Sequence, residues 1–245
     1  MKKSVFYILI AVLAAVFLFA AYQLGSYFWA KFQSDRLNNE ASKYVDYQSG
    51  DETSGSSAQG GDPEQIQVDF EALRAINDDI VGWIYCPDTL INYPIVKGAD
   101  NEYYLTHLID NSWNQNGSIF MDYRNATDFT DGNTLIYGHN MKTGAMFRAL
   151  MDYKSQSFYD EHPYIYIYTP EQNYRMDLLA GSIVDHDADI YTLTPTEDII
   201  SNCMNNSTFS PKTSYAGGDI VTLSTCTSAY DNARYVILGQ LTAIE

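Results

Sequence analysis

"DIVTLSTCTSAYDNARYVILG", residues 219–239, is the stretch whose reading decides the fold. Its first half is a run of β-formers ending at Cys226. Its centre is polar and turn-forming, and its second half resumes with Arg234 and a further β-rich run. Two such runs across a short polar link read as an antiparallel hairpin. With the turn centred on Tyr230, Cys226 stands opposite Arg234, and directly opposed residues share a face with Cβ atoms ~5 Å apart. Ser224 falls on that face too, about 7 Å back along the strand, because side chains alternate. Leu223 and Thr225 then point the other way, with Tyr235 and Ile237. A thiol, a guanidinium and a hydroxyl therefore share one patch. A nearby cation favours the thiolate, and arginine offers planar donors to an oxygen that turns negative in acyl transfer. A buried structural cysteine beside a surface arginine gives the same pattern, so the pair alone leaves both readings open.

Outward from the hairpin the signals are mostly strands. "GWIYC" (82–86) and "INYPIV" (91–96) flank a turn-like "PDT". "GSIFMD" (117–122), "NTLIYGH" (133–139), "YIYIYT" (164–169) and "YRMDLLAGSIVD" (174–185) follow. With the hairpin, these make about eight strands. Helices are expected at 69–77 behind an Asp69 cap, at 145–153, and at 196–206 after Pro195. Many strands at irregular spacing with few helices predict a mainly β fold, a closed barrel decorated by helices.

The N-terminal run 4–30 carries no formal charge and is followed by Lys31. It is long enough to cross a ~30 Å hydrocarbon layer. A cleaved signal peptide has a shorter apolar region; Ala20 and Ala21 offer a cleavage site, but the run continues through Tyr27, Phe28 and Trp29, residues suited to an interface. The expectation is a short cytoplasmic head (1–3), an uncleaved transmembrane anchor (4–30), a polar extracellular tether (31–64) and a catalytic domain (65–245). The tether centres on "QSGDETSGSSAQGGDP" (48–63), with almost nothing apolar to bury. The formal charge of −17 excludes a nucleic-acid binder, since no basic stripe exists to neutralise phosphates. Three widely spaced cysteines leave at least one thiol unpaired.

A cysteine nucleophile needs a proton carrier, usually histidine. His139 ends an apolar strand just after Gly138, where a side chain can lean over a neighbouring site. His107 and His162 sit in polar, turn-like contexts, and His186 lies among carboxylates in "DHDAD" (185–189). On a strand those aspartates would share a face, but the EF-hand pattern fails at Ile190. The segment reads as a solvated acidic edge, and neither a metal nor a cofactor is expected.

Taken together, "TLSTC", Arg234 eight positions later, "YGHNM", "DDIVGWIYCPDTLINYPIVKGADNEYYL" (78–105) and "GSIFMDYRN" (117–125) resemble the class B sortases of Gram-positive bacteria. The resemblance runs from about residue 68 to the end. It implies an eight-stranded sortase-type β-barrel with an N-terminal helix and a groove-shaping helix before the Cys-bearing strand. It further implies a membrane-anchored cysteine transpeptidase with its catalytic domain outside the cell. By this resemblance Cys226 attacks the carbonyl after Thr in a C-terminal sorting signal of a secreted protein. His139 moves the protons, and Arg234 steadies the substrate carbonyl and oxyanion. The acyl group passes through a thioester to an amine of the peptidoglycan cross-bridge or its lipid-linked precursor. The backbone N–H of Thr227 is a second oxyanion donor, and Asn101, Leu105 and Ser224 line the peptide groove. Three other readings stay open: a pilin-polymerising sortase with a lysine acceptor, a plain cysteine protease, and a non-catalytic surface-binding domain.

Overall fold

The computed structural model describes residues 3–47 and 62–244. Two short strands, β1 (Val45–Asp46) and β2 (Gln67–Val68), pair with each other. Eight more follow: β3 (Ile80–Tyr85), β4 (Asn92–Val96), β5 (Ile119–Met121), β6 (Asn133–Tyr137), β7 (Tyr164–Tyr168), β8 (Asn173–Asp185), β9 (Ile220–Cys226) and β10 (Ala233–Ile244). They close into a barrel in the order β10–β8–β7–β3–β4–β5–β6–β9. Neighbours are antiparallel except β4–β5 and β6–β9, which run parallel. The β6–β9 pairing brings together the ends of two segments far apart in the chain, "NTLIYGH" and "DIVTLSTC".

Leu223, Tyr235 and Ile237 point into the barrel with Ile136, Leu178 and Val221. Ile220, Val236 and Leu238 point outward, where Ile200 and Cys203 of helix α4 (Glu197–Asn205) cover them. Both faces of the hairpin are thus buried over most of its length, which is why its sequence reads as near-continuous apolar runs. Helix α2 (Phe70–Ile76) is capped as expected, Asp69 Oδ1 accepting the Ala72 N–H at 2.9 Å. Helix α3 spans Gln156–Glu161. The helix expected at 145–153 is a 3₁₀ helix over Phe147–Lys154. Three residues per turn set Phe147, Leu150 and Tyr153 in one row, and all three are fully buried.

The largest departure lies at the N-terminus. Helix α1 is continuous from Lys3 to Ala41, so no break follows the apolar run. Ala30, Ser34 and Ala41 are buried, with Leu37 partly so. These fall at i, i+4, i+7 and i+11, one face of a helix. Ala41 and Val45 join Leu73, Trp83, Tyr85 and Tyr168 in a second buried cluster against the outer face of β3 and β7. The Tyr47 hydroxyl hydrogen-bonds the Asn92 side chain. The folded body therefore begins near Ala30, not at residue 65, and much of the stretch read as tether is part of it. Residues 48–61, the centre of that expected tether, lie outside the described residues.

Candidate active site

The hairpin register is as expected: Cys226 pairs with Arg234, Thr225 with Tyr235 and Ser224 with Val236. On the other side of β9, Tyr137 of β6 is level with Ser224. The pairing continues past the end of β6, since the Gly138 N–H donates to Ser224 O at 3.1 Å and Thr225 Oγ1 donates to Gly138 O at 2.7 Å. Extending that register by one further residue sets His139 level with Cys226, on backbones ~4.8 Å apart. The thiol stands at the end of β9, level with Arg234 of β10, and shares one groove with His139 of the segment that follows β6. Gly138 permits this close fit. A Cβ there would collide with Ile119 Cδ1 and lie 2.8 Å from the Phe147 ring.

Of the three cysteines only Cys226 is exposed. Burial pushes the Cys86 thiol up to about 11 despite hydrogen bonding with Tyr153, and burial alone pushes Cys203 up to about 11. Both remain protonated fillers of the packing. His139 Nε2 lies 2.8 Å from the Leu105 carbonyl oxygen. A carbonyl can only accept, so Nε2 carries a proton, and Nδ1 is the nitrogen left to exchange one with reacting groups. Asn140 Nδ2 donates to Cys226 O at 2.8 Å, tying the loop after the histidine to the end of β9. Arg234 Nη1 donates to Asn232 O and Ala233 O at 3.1 and 3.2 Å, which anchors the guanidinium on its own turn.

These groups open onto a groove of 520 Å³ on the outer wall of the barrel, lined also by Asn101, Leu105, Tyr137, Tyr191 and Ser224. Leu105 is partly exposed there. Asn101 is a wall residue, its amide donating to Asp122 Oδ2 at 2.9 Å and its carbonyl accepting the Tyr123 N–H at 3.1 Å. Ser224 is buried in the floor, its hydroxyl 2.8 Å from the Tyr191 hydroxyl. Thr227 departs from expectation. Its N–H donates to Ala233 O at 3.2 Å as the closing bond of the hairpin, so it is not a free oxyanion donor. Helix α4 also departs: it packs over the outer barrel wall, and the groove wall is built by the loop ahead of it, through His186 and Tyr191. "DHDAD" is only partly a strand, since β8 ends at Asp185 and a 3₁₀ turn covers Asp189–Tyr191. Its aspartates do not share a sheet face.

Beneath the groove lies a network that sequence reading did not single out. Asp122 is fully buried and accepts from Arg124 Nε and Nη2, both at 2.8 Å, from the Tyr137 hydroxyl at 2.9 Å and from Asn101. Burial pushes this carboxyl up, but the side-chain and backbone donors of Arg124, with Tyr137 and Asn101, outweigh it and hold the group at about 2. Arg124 reaches on to the Tyr191 carbonyl at 3.1 Å. Burial pushes the Tyr191 phenol up to about 12 against its hydrogen bond with Ser224, so it stays neutral. The one sequence signal is Arg124 placed two residues after Asp122, close enough for a local ion pair.

The family model for the sortase domain matches residues 84–242. Sortase B of Listeria monocytogenes is 37% identical over 187 residues, covering 72% of this chain and 75% of that protein. The crystal structure of a sortase B from B. anthracis superposes with a TM-score of 0.72 at 32% identity, covering 88% of this chain and 99% of that one. A Staphylococcus aureus sortase B–substrate complex gives 0.66 at 30% identity, covering 72% and 85%. A closed eight-stranded barrel, a lone exposed thiol between histidine and arginine, and these matches agree: the chain belongs to the sortase family of cysteine transpeptidases, in class B.

Proposed function

We propose that this chain, anchored in the membrane by α1 with its barrel outside the cell, cleaves a C-terminal sorting signal after Thr and transfers the acyl group to a cell-wall amine. The carrying observation is Cys226, exposed at the end of β9 opposite Arg234, in one groove with His139. In this reading the Cys226 thiol passes its proton to Nδ1 of His139 as its sulfur adds to the carbonyl carbon, and the developing oxyanion takes donors from Arg234. The C–N bond breaks, His139 gives its proton to the departing amine, and a thioester remains. The incoming amine adds to the thioester and yields its proton to His139, and the thiolate leaves. A thiolate is both nucleophile and leaving group, which suits passing the acyl group to an amine rather than only to water.

Two solved structures support the substrate classes: S. aureus sortase B has been solved in a substrate complex, and sortase B has also been solved in complex with triglycine. Anchoring is supported by α1, which among the described residues is the one helix long and apolar enough to cross a membrane. The test is a library of sorting-signal peptides incubated with the protein, with and without an oligoglycine amine. Amine-dependent diversion of the product from acid to amide is expected. Hydrolysis unaffected by the amine would instead indicate a protease, and no turnover of any peptide a binding domain.

A further inference from the structure

The apolar run and the folded body share one helix with no slack between them. Residues 4–30 span about 40 Å as a helix at ~1.5 Å per residue, close to the full thickness of a bilayer with its headgroups, ~40–45 Å. Ala30, the last residue of that run, is already buried against the body, and its carbonyl accepts the Asn114 side-chain amide at 2.9 Å. If α1 spans the membrane, Asn114 stands at the headgroup layer. Its neighbour Trp113 is 69% exposed and has no aromatic partner among the described residues.

Trp113 is presented by a braced loop. Asn114 N–H donates to Thr106 O at 2.8 Å, Leu108 N–H donates to Ser112 O at 2.9 Å, and His107 bridges to Trp113 across the loop. Phe28, Trp29 and Phe32 are exposed where α1 meets the body. An indole at this height fits the membrane interface, where one end is apolar and the other wet. The formal charge of −17 argues against attraction to anionic lipid, so aromatic insertion rather than charge must carry the contact.

We propose that the 106–117 loop is a membrane-contact element that seats Trp113 in the headgroup layer beside α1, so that the barrel rests directly on the bilayer. The inference rests on the reading of α1 as the anchor. The loop begins one residue after Leu105, whose carbonyl holds His139. Seating the loop therefore fixes the groove's height above the membrane, where a lipid-linked amine would arrive.

The test uses the full chain in phosphatidylcholine vesicles, carrying Trp29→Phe, compared with the same chain carrying Trp29→Phe and Trp113→Phe. Their emission difference reports Trp113, because Trp83 is fully buried in the body and common to both. Lipid brominated near the top of its acyl chains is expected to quench that difference. A difference that survives bromination, in chains that float with the vesicles, overturns the contact and leaves the anchor standing. Chains that do not float overturn both. A blue shift of Trp113 without bromine quenching assigns the residue to a protein contact and likewise overturns the proposal.

Discussion

Cys86 and Cys203 are buried and kept protonated by that burial, whereas Cys226 is exposed. Iodoacetamide on the native protein near pH 8 is therefore expected to add one mass increment quickly, and none in Cys226→Ser. Fast labelling at a second site, read by peptide mapping, would contradict the assignment of the other two. Asp122 supports a different expectation. Its folded acidity lies below that of an unfolded aspartate, ~3.9. The stabilisation is therefore complete above about pH 4 and is lost as pH falls toward 2. Asp122→Asn is expected to cost roughly 2 kcal/mol near pH 7, allowing for the half-exposed Arg124, and to flatten the acid limb of the stability curve. Thermal melts from pH 7 to pH 2 check both; an unchanged acid limb would contradict the role given to the network. The facing of Cys226, Ser224 and Arg234 was legible in the sequence because a hairpin is local and its alternation fixes sides. The place of His139 was not, because it depends on a parallel pairing between β6 and β9. The donor role given to the Thr227 N–H failed because the hairpin itself needs that bond.

Among the elements, the end of β6 is the most constrained part of the site. Gly138→Ala would drive a methyl into Ile119 and Phe147. Such overpacking costs about 1–3 kcal/mol. It should also shift His139 relative to Cys226, lowering turnover more than the loss of stability explains. A melt and a peptide-cleavage assay on this variant check the two effects separately, and full activity would show that the close fit is unimportant. Each barrel strand was expected close to where it lies, because β-branched and aromatic runs between turn residues are strong local signals. The 3₁₀ form of Phe147–Lys154 was hidden, since Phe147, Leu150 and Tyr153 fit the start of an α-helical pattern nearly as well. Tyr191 was missed because a loop residue acquires its place only from tertiary packing against Tyr137 and Ser224.

For the whole molecule, the boundary between the apolar run and the body follows from the stripe Ala30, Ser34, Leu37 and Ala41. Small residues at helical spacing gave little hydrophobic signal, which is why the segment read as polar. Removing residues 1–29 is expected to release the protein from vesicles while leaving its melting temperature unchanged. Removing residues 1–47 should also uncover the cluster under Ala41 and Val45, at a cost of at least ~2 kcal/mol. Equal melting temperatures for the two truncations would mean that the end of α1 contributes nothing to the fold. The nucleophilic role of Cys226 is open to one direct measurement. Intact-mass spectrometry of the protein mixed with a sorting-signal peptide, quenched in acid before any amine is added, should show an acyl adduct on Cys226 that ends in the peptide's Thr. Adding an amine should discharge it as the amide. An adduct that also forms on Cys226→Ala, or one that amines leave in place, would contradict the account.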